Sequence, residues 1–250
     1  MRVKTISNSL LVLAFVLMPV ASFAQKAGDN IVSFGVASVQ PDPSVGTVST
    51  TGAATYPGTS YTVGQVFTGK LVDTSAHISP ASTVSFGWLH MMTDDVGLEL
   101  ALGIPPKLTL DLITPNGTNP TVPAAATVKS LTPAVIGKKF FGATSDKWRP
   151  YVGLGVSHVS FADINPKLSD SLVAALAAQS LKLKSDWTPV YTAGVVYNID
   201  DKWSLSGSVS YLPIRTTATF VGSAALGSPV TSAPLKLNTT DYVFKLGYRF

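Results

Sequence analysis

Apolar and polar residues alternate with a period of two along several segments of this chain, each about ten residues long. The final segment is the clearest, because its apolar residues all fall on one face. That face carries Tyr242, Phe244, Leu246, Tyr248 and Phe250. The opposite face carries Val243, Lys245, Gly247 and Arg249. Since successive side chains of a strand point to opposite sides, the pattern predicts a strand with one apolar and one polar face.

Two other segments repeat this pattern with small or polar residues on one face. Between residues 203 and 211, an apolar face opposes the serines Ser204, Ser206, Ser208 and Ser210. Between residues 96 and 104, an aliphatic face opposes Gly97, Glu99, Ala101 and Gly103. Further strands near residues 29–39, 83–92, 130–141, 150–162 and 188–199 bring the predicted total to eight.

The connections between these strands alternate strictly between short and long. Short connections lie near residues 93–95, 142–148 and 200–201, and long ones cover about 40–80, 105–129, 163–186 and 221–236. The serine-faced strand by itself fits either a soluble sandwich or a barrel. The alternating lengths favour an all-β fold, an eight-stranded antiparallel transmembrane β-barrel with short turns at one end and long extracellular loops at the other.

The aromatic residues and one helical pattern add detail to this prediction. Trp148, Tyr197 and Trp203 lie beside short turns and Trp187 lies toward the opposite end, as expected for rings at the two membrane interfaces. After Asp170, a candidate N-cap, apolar residues recur at helical spacing and predict a short helix in the third long loop. We expect this helix to pack on the barrel rim rather than on the membrane surface. The apolar residues of this pattern are Leu168, Leu172, Val173, Leu176 and Leu181.

The first 24 residues have the pattern of a secretory signal peptide. Arg2 and Lys4 precede an apolar run over 10–20, and the small-residue site Ser22-Phe23-Ala24 follows. Residues 25–250 would then form the barrel, and loss of the two basic residues lowers the formal charge from +4 to +2. No later segment reaches the roughly 20 consecutive apolar residues that a spanning helix needs, so a membrane protein of this sequence must be a closed barrel.

Composition excludes several classes of function. Charged residues make up 13% of the chain and hydrophobic residues 46%, which is typical of a protein with a lipid-facing surface. The absence of cysteine excludes disulfides and thiolate metal sites. Near-neutral charge without a basic cluster argues against binding to nucleic acid.

Three stretches of the chain resemble the OmpW family of small outer membrane proteins. They are the residues DDVGLEL at 94–100, RPYVGLGV at 149–156 and LGYRF at 246–250. The resemblance implies an outer membrane protein of a Gram-negative bacterium with both termini in the periplasm. It also implies passive passage of small, largely hydrophobic molecules, which enter from outside and leave sideways through the barrel wall. Eight strands leave room only for side chains or one small ligand, which agrees with this expectation.

The predicted inward faces supply the candidate site residues. We predict that the lumen is lined by Glu99, Ala101, Ser206, Ser208, Ser210, Lys245 and Arg249. In the resembling family, bulky apolar residues narrow the lumen at positions that align with Ala101 and Ser210. Both residues are small here, which indicates a wider lumen or a different selectivity. Since an unpaired buried charge is costly, Glu99 should find a cation, and a structural ion pair is favoured over a solute-binding or gating site.

Catalytic and cofactor chemistry has little support in the sequence. Ser157 and His158 are adjacent, but neighbouring strand residues point to opposite faces and do not form a dyad. The three histidines lack close spacing, and the aspartate pairs at 94–95 and 200–201 fit tight turns. We therefore expect no enzyme activity, no metal and no cofactor.

Two functions from different classes remain open at this point. The first is a channel for small hydrophobic solutes, and the alternative is a closed barrel that acts as a structural or surface-interaction protein of receptor or adhesin type. The expected partners are outer-membrane lipids, lipopolysaccharide and the barrel-assembly machinery. The last of these would recognise the C-terminal strand through Tyr248 and Phe250. The sequence does not identify the solute, the oligomeric state or a receptor role for phage or bacteriocin.

Overall fold

The computed structural model describes residues 25–113 and 122–250, so the predicted signal peptide at 1–24 lies outside the described residues. The strands in chain order are β1 (Asn30–Val45), β2 (Ser49–Thr51), β3 (Ser75–Ile78), β4 (Ala81–Met91), β5 (Val96–Gly103), β6 (Lys107–Ile113), β7 (Val122–Leu131), β8 (Ala134–Phe140), β9 (Trp148–Pro166), β10 (Ser180–Leu183), β11 (Asp186–Asn198), β12 (Trp203–Val221) and β13 (Val230–Arg249). The helices are α1 (Val63–Lys70) and α2 (Ser171–Ala177), and a 3-10 turn covers Ala224–Leu226.

Eight of the described strands close into an antiparallel barrel. The ring runs β1, β4, β5, β8, β9, β11, β12 and β13, and β13 pairs back onto β1. The closing pair is in register over most of both strands, from Ile31 opposite Arg249 to Val45 opposite Leu235. Closure leaves the ring without a free edge, which is the condition for strands to cross a membrane. The predicted eight-stranded barrel is confirmed.

The barrel is apolar on its outer face, whereas its interior holds polar side chains together with clusters of buried apolar ones. Phe34, Leu154 and Phe244 on its outer face are 57%, 62% and 64% exposed. The inward set includes buried Ser85, Glu99, Thr192 and Thr239. Aromatic pairs lie at both ends of the apolar belt. We call the end that carries the short turns the short-turn end and the opposite end the extended end. Trp148–Tyr197 and Trp203–Tyr248, with ring centroids 4.6 and 5.0 Å apart, lie at the short-turn end, and Trp187 stacks on His158 at the extended end.

The short turns depend on aspartate, as the sequence predicts. The Asp200 carboxylate accepts hydrogen bonds from the N–H groups of Lys202 and Trp203 at 2.8 and 2.7 Å. These two bonds, that of Lys202 first, hold the pKa of Asp200 below its ordinary value. Asp200 therefore fixes the turn between β11 and β12.

The long connections contain more regular structure than the sequence predicts. Four barrel strands continue beyond the apolar belt, namely β1, β9, β12 and β13. Five further strands are added there by pairing, namely β2, β3, β6, β7 and β10, and we call this whole region the extension. β13 begins at Val230, so the fourth connection is much shorter than residues 221–236. The sequence analysis missed these added strands, although polar and apolar residues alternate in β6 and in β10. The predicted strand at 130–141 is also broken, because β7 ends before Pro133, which has no N–H to donate.

Two helices lie in the extension, where the sequence predicted one. α2 begins after Asp170, whose carboxylate accepts hydrogen bonds from the N–H groups of Leu172 and Val173, as expected. α1 was missed, although Thr62 and Gln65 form a capping box at its start, a signal readable from the sequence. No helix within the described residues is long and apolar enough to cross a membrane.

Candidate functional site

The described residues enclose two main cavities, one above the other along the barrel. The cavity inside the ring, here called the lumen cavity, has a volume of about 150 Å³. The cavity inside the extension, here called the vestibule, has a volume of about 130 Å³. Four residues line both cavities and form the neck between them: Ile78, Leu108, Phe161 and Leu237. The two spaces therefore meet at an apolar constriction.

The vestibule is lined almost wholly by apolar side chains. β6, β7, β10 and the far ends of β12 and β13 supply most of them. α2 covers one side and contributes Val173, Leu176 and Ala177, so this helix packs on the extension and not on an outer surface. Thr231, a polar residue of the lining, shares a 2.9 Å hydrogen bond with the hydroxyl of Thr50. Such a surface favours apolar solutes, because they displace water without losing hydrogen bonds.

The lumen cavity is more polar, and most predicted site residues lie on its wall. The structure places Glu99, Ala101, Ser206, Ser208, Ser210 and Lys245 along it. The Ser210 hydroxyl donates to the hydroxyl of Thr192 at 3.0 Å, which joins neighbouring strands. Arg249 lies apart from this cavity, near the short-turn end, where its Nη1 is 3.1 Å from an Asp29 carboxylate oxygen.

An ion triad crosses the lumen below these serines. Glu99 pairs with Lys245, Nζ to Oε1 at 3.0 Å, and with Lys138 through its other oxygen. The side chains of Glu99, Lys138 and Lys245 are only 6%, 11% and 10% exposed. Lys138 also lies 4.3 Å from the ring centroid of Tyr151. The predicted carboxylate–cation contact is therefore present, but Lys138 was missed, although Ala134, Ile136, Lys138 and Phe140 alternate as an inward face.

Packed side chains close the lumen toward the short-turn end. Arg149 is fully buried, and its guanidinium donates to the carbonyl oxygens of Gln25 at 2.9 Å and Asp94 at 2.7 Å. Met91 and Phe140, both 1% exposed or less, fill the space beside it. We call these residues the floor. Solute in the lumen cavity has no straight route through the floor.

The wall of the barrel is interrupted beside the lumen cavity. Pairing between β5 and β8 ends at Ala101 opposite Ala134, and pairing between β6 and β7 begins only at Lys107 opposite Lys129. We call the stretch between them, residues 102–106 and 130–133, the wall break. Pro105, Pro106 and Pro133 lie within it, and since proline has no N–H, the ladder lacks donors to close it.

The lumen cavity reaches the outer surface at the wall break. Its lining includes inward-facing Gly103 and also Leu102 and Ile104, which point outward and are 45% and 54% exposed. Thr132 lines the opposite edge. The hydroxyl of Thr83 donates to the carbonyl of Ile104, and the N–H of Ser130 donates to the carbonyl of Pro106 at 3.3 Å, so hydrogen bonds fix both edges of the wall break.

The structure also places the residues considered for other roles. The Ser157 hydroxyl is buried and donates to the carbonyl of Pro133 at 2.9 Å, whereas His158 stacks on Trp187 on the other side of the wall. They do not share a site. At the C-terminus, Tyr248 packs against Trp203, and the N–H of Phe250 donates to the carbonyl of Asn30 at 3.0 Å.

Comparison with known proteins shows one consistent group of relatives. A family model described as the OmpW family matches residues 26–250. Outer membrane protein W of Escherichia coli strain K12 is 29% identical over 234 residues, 94% of either chain. Outer membrane protein AlkL of Ectopseudomonas oleovorans is 23% identical over 255 residues, 96% of this chain and 97% of that protein. The crystal structure of OprG from Pseudomonas aeruginosa has the same fold, with a TM-score of 0.74 at 24% identity over 92% of this chain and 99% of that chain.

Proposed function

Because this chain belongs to the OmpW family of outer membrane proteins, we propose that it is a passive channel for small, largely hydrophobic molecules. In this proposal, solute enters the vestibule, passes the neck into the lumen cavity and leaves sideways through the wall break. The short-turn end and both termini face the periplasm, and the extension faces outward. We infer no catalytic role, in keeping with the separate positions of Ser157 and His158.

The observation that carries the proposal is the contrast between the floor and the wall break. The floor is filled by buried side chains, with Arg149 fully buried, whereas the cavity beside it contacts both faces of the wall at 101–104. The outer face at this height is apolar, so an apolar solute leaving here enters acyl chains rather than water. Sideways exit therefore avoids the polar ion triad.

An uptake assay with the purified protein in liposomes tests this function. We expect the apolar member of a pair of equally sized solutes to enter faster than the polar one, because the neck is apolar and the vestibule lining holds few polar groups to replace hydrogen bonds with water. Liposomes without protein give the background rate for each solute. Equal exclusion of both solutes would instead support the closed barrel as a structural or surface-interaction protein.

The small side chains at positions 101 and 210 are expected to widen the lumen. Ala101 and Ser210 both line the lumen cavity, so Ala101→Leu and Ser210→Trp place bulk inside it. We expect each variant to lower the single-channel conductance of the purified protein, the tryptophan variant more strongly. Conductances indistinguishable from that of the parent protein would contradict a lumen widened by these two residues.

The remaining partners are proposals that follow from the location. The exposed apolar belt would contact outer-membrane lipids, and the extension would lie among lipopolysaccharide. Tyr248 and Phe250 stay predicted as the signal for the barrel-assembly machinery. In support of this, Tyr248 lies on the strand that closes the ring, and Phe250 follows that strand directly and bonds to Asn30 of β1.

A further inference from the structure

One carboxylate in the lumen cavity is not accounted for by the ion triad. Asp241 lies on β13 between Val39 of β1 and Ser210 of β12, and it lines the cavity. Its Oδ1 atom is buried and has no hydrogen-bond partner within the described part of the chain. Glu99, by comparison, is held between two lysines. The fold thus neutralises Glu99 with two lysines and leaves Asp241 on the cavity wall without a cation among the described residues.

The other charges of the lumen do not neutralise Asp241. Lys245 lies four residues further along the same strand, about 13 Å away at about 3.3 Å per residue, and is bonded to Glu99. Lys138 is bonded to the same carboxylate. Burial of a carboxylate oxygen without a hydrogen bond is unfavourable. A ligand that brings a positive charge and N–H donors to the side of Asp241 that lines the cavity should therefore be favoured.

We propose that Asp241 binds the ammonium group of amphiphilic amines, compounds with one cationic head and a short apolar chain. This inference rests on the proposed function and names a solute class for the same cavity. Leu237, on the same face of β13, is part of the neck, so an alkyl chain extending from Asp241 toward the vestibule meets apolar side chains. Ser210, which lies opposite Asp241 on β12, is small, and so is Ala101 on the other side of the lumen, so the cavity has room for a ligand.

The order of charged side chains along the lumen favours a ligand with a cationic head group at Asp241. Asp241 lies nearer the vestibule, and the ion triad, with two lysines and one carboxylate, lies deeper. An ammonium group held at Asp241 is repelled from the triad and the floor, whereas a carboxylate head would meet Asp241 first and be disfavoured. In the ring, β13 is three strands from β5 and four from β8, so Asp241 lies across the lumen from the wall break.

Equilibrium binding to the purified protein in non-ionic micelles tests the site directly. The probes are hexylammonium, hexanol and hexanoate, with protein-free micelles as the background. We expect hexylammonium to bind about tenfold more tightly than hexanol, within the range for a hydrogen bond to a charged group, and hexanoate to bind most weakly. Asp241→Asn should remove the preference for hexylammonium and leave hexanol binding unchanged, and Asp241→Glu should retain it. Asp42→Asn, which removes an exposed carboxylate of β1, is the matched control and should change nothing.

The outcomes separate this site from the channel function. If binding prefers hexylammonium and this preference depends on Asp241, the site is supported. If the same protein admits no solute to liposomes, the channel function is contradicted. Uptake of apolar solutes with equal binding of all three probes, or with a preference that survives in a folded Asp241→Asn variant, would overturn the site alone.

Discussion

We expect uptake of apolar solutes to fall about tenfold when Gly103 is replaced by phenylalanine, which corresponds to about 1.4 kcal/mol in the barrier to transit. Gly103 faces the lumen cavity at the wall break, and a Cβ atom there would be 3.4 Å from the carbonyl oxygen of Val84. The backbone therefore accepts a side chain, and the added ring fills the space through which solute would leave. The measurement is the initial rate of uptake into liposomes that contain equal amounts of folded protein.

Gly137→Phe is the matched control for this variant. Gly137 lies on β8, the strand on the other side of the wall break, but it points outward, and a Cβ atom there meets only the carbonyl of Leu154 at 3.7 Å. The same ring then lies in lipid and should leave uptake unchanged. Unreduced uptake in a folded Gly103→Phe protein would show that solute does not pass through the wall break.

Replacing Glu99 with glutamine should lower the free energy of unfolding by about 3–5 kcal/mol, the usual cost of leaving a buried charge without its partner. Here two ammonium groups lose their shared carboxylate, since Lys138 and Lys245 are both about nine-tenths buried and both bond to Glu99. Unfolding by denaturant in detergent, followed by the loss of heat-resistant migration on gels, measures the change.

An exposed ion pair on the same strands serves as the control for Glu99. Asp95 and Lys139 pair at the short-turn end with side chains 44% and 49% exposed, so water screens their attraction. Asp95→Asn should leave stability unchanged within error. If Glu99→Gln is destabilised but the folded fraction transports normally, the triad is structural. Altered transport with full stability would instead assign Glu99 to solute binding or gating.

Local pattern in the sequence determined the ring and its two faces. Alternation with a period of two states which side chains share a face, so Glu99, Ala101 and the serines of β12 could be placed on the inner wall from sequence alone. The strict alternation of short and long connections distinguished the barrel from a sandwich. The N-cap at Asp170 and the turn at Asp200 could also be predicted from sequence, because caps and turns involve residues only two or three positions apart.

Contacts between residues far apart in the sequence determined how the interior of the ring is arranged. The bond between Glu99 and Lys245 joins positions 146 residues apart, and the choice of Lys138 as second partner depends on how β8 is staggered against β5. The extension was missed for the same reason: β2, β7 and β10 pair with the overhanging ends of β13, β9 and β12, and β6 and β3 are added in turn to β7. The floor, the neck and the wall break likewise exist only once the ring is closed. A single strand encodes its own faces, but register and closure determine which residues meet across the lumen and where the wall stays open.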